Sequence, residues 1–172
     1  MSEVVYDIIV KQYMNSLNAL KGCMAKAKAH AEANNFAPEK FMDMKLAPDM
    51  FNFTKQVQTA SDNAKGAAAR LAGREIPSFP DNEKTWDELV ARIDKTIDYL
   101  GSFKAEDFKD YAKQTASFAY YPGKHLRGSD YFTSYAIPNF YFHLMTAYAL
   151  LRHGGVPIGK IDYMGELAWV KS

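Results

Sequence analysis

One cysteine and four histidines in 172 residues leave this chain few of the side chains that usually carry nucleophilic or metal chemistry. Cys23 alone cannot close an intramolecular disulfide, so a reducing, cytoplasmic setting is expected. The N-terminus MSEVVYDIIV has no cationic start followed by an apolar secretory core, which points the same way. Charge of one sign is lacking too. Lys and Arg number 21 against 20 Asp and Glu, a net charge of +1 with no basic block, and this argues against nucleic acid as a partner. No apolar run approaches the ~18 residues of a membrane span, because even the most apolar stretch is broken by His143, Arg152 and His153. Neither a G-x-S-x-G elbow, nor a phosphate-cradling G-x-x-x-x-G-K loop, nor a dinucleotide fingerprint is present, so those hydrolase and nucleotide-dependent classes lack their usual signals.

With 48% hydrophobic and 24% charged residues, the chain has enough apolar surface for a core and reads as a single globular domain over residues 1–172. Val5, Ile9, Tyr13, Leu17, Leu20, Met24, Ala27 and Ala31 recur every three or four residues, which predicts one long amphipathic helix. Asn34 and Asn35 can end it, and a loop through Pro38 and Pro48 follows, with a helical turn near Glu39 to Met42. Asp49 is the expected N-cap of a second helix striped by Met50, Phe53, Val57, Ala60, Ala64, Ala67 and Leu71, which Gly73 stops. Its small residues invite a partner helix to approach closely.

Thr85 and Glu88 form a capping box before a third helix, in which Trp86, Leu89, Val90, Ile93, Ile97 and Leu100 face inward and Gly101 suits the C-terminal cap. In SFAYYPGKHLRG, Pro122 and Gly123 occupy the places a type II turn demands, predicting a short β-hairpin. Pro138 is expected in the first turn of the fourth helix, which Gly154 and Gly155 end. An extended tail anchored by Tyr163, Leu167 and Trp169 completes the reading. The fold class expected is all-α, an antiparallel four-helix bundle with a long first connection and a hairpin before the last helix.

The stretch PNFYFHLMTAYALLRHGG is apolar almost all the way round, so a histidine in its middle either serves the packing or marks a site. Asn139 lies one turn before His143 and Thr146 three residues after it, and together they form a polar seam, the candidate ligand pocket. A packed histidine whose nitrogen is satisfied by a neighbour is the competing reading. For a metal, His143 is the one candidate ligand: position 147 is Ala147, while His30, His125 and His153 fall on separate segments. This count argues against a preformed transition-metal centre. Asp62 reads as a solvated partner of Lys65 or Lys55, and Cys23 as an inert packing residue. Lys21, Lys26 and Lys28 could place the first helix on a membrane surface, though the balancing acids favour a solvated face. Aromatic residues crowd the C-terminal half, from Phe118 to Tyr148, as core and hairpin packing, an aromatic-walled pocket or a dimer surface.

PNFYFHLMTAYALLRHGGVPIGKIDYMG and TKQVQTASDNAKGAAARLAG, with TWDELVARIDKTIDYL between them, resemble a bacterial family of unknown function in the DinB/YfiT-like superfamily. The resemblance covers nearly the whole chain and is strongest from Ala136 to Gly165. It implies a DinB-like four-helix bundle assembled as a homodimer. Superfamily members commonly hold a divalent metal through one histidine of the second helix and two of the fourth, and some are thiol-dependent transferases or isomerases. Here His143 alone matches such a ligand; Gln56 and Gln58 stand where the second helix would supply a histidine, and Ala147 replaces another. The leading expectation is therefore a dimeric bundle binding a small ligand near Asn139 and His143 without the three-histidine metal site. The alternative is a divalent-metal-assisted transferase or hydrolase using His143 with carboxylates or glutamines.

Overall fold

The computed structural model describes residues 1–170. Helix α1 runs through Ser2–Tyr6, a π turn Asp7–Gln12 and Tyr13–Ala33, its stripe buried from Val5 to Ala31 as the period demands. After the 3-10 turn Pro38–Phe41, helix α2 spans Phe53–Ala72. Its N-cap is Asn52, whose side chain accepts from the Lys55 N–H, and not Asp49. Met50 consequently stays outside the helix. Gly73 ends α2 at φ 66°, the left-handed conformation that glycine adopts without steric cost.

Helix α3, Trp86–Gly101, begins at the expected Thr85–Glu88 capping box; Gly101 is its last helical residue and Ser102 the cap. Strands β1, Thr115–Ser117, and β2, His125–Arg127, pair antiparallel with Ala116 opposite Leu126. The loop between them turns at Tyr121–Lys124, where Lys124 N–H donates to the Tyr121 carbonyl and Gly123 sits at φ 74°, as a type II turn requires.

Helix α4 starts ten residues earlier than Pro138 suggests: Gly128–Tyr131, a π turn Phe132–Ala136 and Ile137–His153 form one rod. Pro138 thus lies inside a helix, where it has no N–H to give the preceding turn. The wider π turn immediately before it absorbs that misfit. A short helix α5, Lys160–Met164, occupies the expected tail. Tyr163 packs on Tyr148, but Trp169 is 85% exposed and anchors nothing. The tail is held instead by Asn15, which bonds the backbone of Met164 and Glu166, and by the Lys26–Asp162 pair.

The four long helices form a bundle. Lys21–Asp94 and Lys28–Asp87 set α1 antiparallel to α3, while Asn63–Asn139 and Gln56–His143 set α2 antiparallel to α4. The crossover 74–85 lets α2 and α3 run the same way, with Phe53 stacked on Trp86 near one end and Ser61 bonded to Thr96 further along. Ala60, Ala64, Ala67 and Ala68 are fully buried on α2, and this small-residue face admits α4 closely. Across the core, Tyr13 stacks on Phe140 at 3.8 Å and donates its hydroxyl to the Ala136 carbonyl, so its one polar atom is satisfied. Among the described residues no helix is long and apolar enough to cross a membrane.

Candidate functional site

His143 lies on the buried side of α4, and the α2 N-terminus supplies its partner. Cap formation at Asn52 brings Gln56 into the first turn of α2, where its Nε2 donates to the Phe51 carbonyl at 3.2 Å. That leaves Oε1 as the acceptor facing His143 Nδ1 at 2.7 Å. The network therefore assigns the proton of the neutral ring to Nδ1. His143 Nε2 keeps its lone pair and has no protein partner among the described residues. Burial pushes the imidazole below its ordinary pKa of 6.5, so the ring is neutral at physiological pH. Phe51 stacks near its face at 6.3 Å and Phe142 stands edge-on at 5.2 Å. Both phenyl rings are half exposed and together flank the buried imidazole as an aromatic notch.

The seam of Asn139, His143 and Thr146 is not one connected network. Asn139 donates to Asn63 on α2 at 2.7 Å, and Asn63 in turn donates to the Thr59 carbonyl. Thr146 bonds back to the Phe142 carbonyl of its own helix. Two separate α2–α4 cross-links result, Asn63–Asn139 and Gln56–His143, each satisfying polar groups that helix packing has dehydrated.

The three-histidine ligand set of the superfamily is not assembled from these residues. Gln56 presents one neutral oxygen, already committed to His143, and Ala147 is fully buried without a donor atom. Gln58 points to Glu83, to whose Oε2 it donates at 2.8 Å. Cys23 is buried, and desolvation raises its thiol to about 11, which fits packing and not nucleophilic attack. Among the described residues no group of three or more His, Cys, Asp and Glu side chains is placed to hold a metal ion.

A second polar centre was not anticipated. Arg92 is buried on α3 and reaches Asp62 at 2.8 Å, Asp81 at 2.9 Å and Glu83 at 2.8 Å, and donates to Ser61 Oγ and the Pro80 carbonyl. Asp62 does pair with Lys65, as expected, but Lys55 reaches Asp81 instead. A signal was available in the sequence: Arg92 and Thr96 fall on the inward side of α3 beside Leu89, Ile93 and Leu100. The cluster ties the crossover 74–85 to both parallel helices, so its chemistry is spent on the fold.

The domain of unknown function DUF1993 matches residues 5–164 of the chain. Among solved structures, a crystal structure of a DinB family member protein from Shewanella denitrificans is 38% identical, with a TM-score of 0.95, covering 99% of this chain and 97% of that one. No curated protein matches the sequence.

Proposed function

The chain belongs to the DUF1993 family, on a DinB-like bundle, and we propose that it serves as a binding module whose ligand docks in the aromatic notch at His143. The observation that carries this reading is the 2.7 Å bond from Nδ1 to Gln56, which fixes the tautomer and leaves the Nε2 lone pair without a protein partner beside the half-exposed rings of Phe51 and Phe142. Such a site takes a small apolar molecule bearing one hydroxyl or N–H donor. The apolar stripe Pro138, Phe142 and Met145 continues along the exposed side of α4, and a second copy packed there would turn the open notch into a pocket. Asn139 and Thr146 flank that pocket, and Asn139 ties together the two helices that shape it.

Phenol, a ring with one donor, tests the site. Its titration should perturb the imidazole nitrogens of His143 in NMR spectra, and His143→Ala should abolish saturation; unchanged imidazole signals at millimolar phenol would overturn the reading. For the assembly, light scattering at micromolar concentration should give a dimer that Phe142→Glu converts to monomer, and a monomeric wild type would refute it.

The free Nε2 also favours a second reading, a divalent-metal-assisted transferase or hydrolase using His143. Elemental analysis of tag-free protein decides between them: stoichiometric zinc, nickel or iron that disappears in His143→Ala would establish the alternative.

A further inference from the structure

Between the hairpin and α4, on elements separate from the His143 notch, lies a cavity of about 260 Å³. Its interior follows from strand pairing. Ala116 and Leu126 are directly opposite each other in the β1–β2 register, and the alternation of a strand sends both side chains to the same face. Phe118 and Tyr135 wall that face with rings 4.6 Å apart, and both walls are held from behind. The Arg70 guanidinium lies over Phe118 at 5.0 Å, and the Tyr135 hydroxyl bonds that of Tyr120. At the mouth stand Tyr121 and Lys124, both exposed, while His125 borders the cavity from a strand position whose side chain alternates away from that of Leu126, and the lining includes no acid.

The geometry points to a second binding site here, for a planar aromatic anion: the ring lies against the paired Phe118 and Tyr135 and under Tyr121, and its carboxylate meets Lys124 Nζ at the rim. Each part of the lining selects one part of that ligand. A flat π-system fits aromatic walls whose rings are already fixed, so little side-chain entropy is lost on binding. The Lys124 ammonium at the mouth, with no carboxylate in the lining to neutralise it, selects negative charge. An aliphatic acid satisfies only the rim, and a neutral arene only the walls.

Naphthoate is the probe, with naphthamide and cyclohexanecarboxylate as comparisons, titrated into the intact chain by calorimetry and by backbone amide NMR. Naphthoate should saturate one site and shift amides of residues 116–126 and Tyr135. Naphthamide and cyclohexanecarboxylate should each bind about tenfold more weakly. Lys124→Ala and Tyr121→Ala change exposed side chains and leave the core intact, so they should fold normally and each weaken naphthoate about tenfold. Absence of saturation at millimolar naphthoate, shifts centred elsewhere, equal affinity for the three probes, or undiminished binding in both variants would each overturn the site.

Discussion

Replacing Arg92 with methionine should destabilise the protein by about 3 kcal/mol, read as a lowered midpoint in urea denaturation at neutral pH. Methionine keeps much of the side-chain volume, so the loss comes from charge and hydrogen bonding more than from a void. Glu83, 9% exposed at its side chain, would lose its guanidinium and keep only Gln58. Asp62 and Asp81 retain water and their lysines, which places the cost at the lower end of the range for broken buried pairs. Adding Glu83→Gln should recover part of the loss, because it removes the stranded charge; a double variant no more stable than Arg92→Met would refute that assignment.

Acid should narrow the gap between wild type and the Arg92 variant. Burial opposes ionisation of Asp81 and of Glu83, yet Lys55 and Arg92 outweigh it for the first, and Arg92 and Gln58 for the second. Both carboxyls therefore sit below their ordinary values of 3.8 and 4.5. A carboxyl held low in the folded state stabilises it fully above its unfolded pKa and loses that contribution as pH falls through the folded value. Wild type should thus weaken below about pH 4, and the variant, lacking Arg92, should weaken less over the same range.

How far the bundle could be read from the sequence depended on whether a feature was local. The capping box at Thr85 and Glu88 and the turn at Pro122 and Gly123 are decided by residues within four positions, and both form where expected. Asp49 and Asn52 are equally able to cap a helix. The choice fell to Asn52 in a segment fixed by distant packing, with Phe53 stacked on Trp86. Pro138 misled for a related reason: its preference for a first turn is a local tendency, overridden where the chain from Gly128 onward buries Tyr131, Phe132 and Ala136 as helix. At the site, His143 was legible because a polar residue on an apolar helix must be explained. Its partner was not. Gln56 stood out only as a histidine's substitute, and that its amide would orient the imidazole depends on how α2 meets α4. Arg92 and its carboxylates come from three segments, so no spacing rule links them.

Gly128→Ala should cost about 3 kcal/mol or more, against the ordinary gain from introducing alanine into a helix. Gly128 joins the end of β2 to the start of α4 and donates its N–H to the Gln114 carbonyl at 2.7 Å. A Cβ there would lie 1.7 Å from the Tyr111 carbonyl oxygen and 2.9 Å from its carbon. Both are backbone atoms, so no rotamer change relieves the clash; the 111–114 turn must move away and stretch the bond to Gln114. Gly22 provides the contrast, since a Cβ on this mid-helix residue meets nothing within 4 Å. Gly22→Ala should raise stability by about 0.5–1 kcal/mol. The pair separates close backbone approach from intrinsic helix preference, and equal effects of the two substitutions in thermal denaturation would remove the steric argument. Because β1 begins directly after Gln114, the Gly128 variant should also loosen the hairpin wall. Naphthoate affinity should then fall in protein that is still folded, while Gly22→Ala leaves it intact.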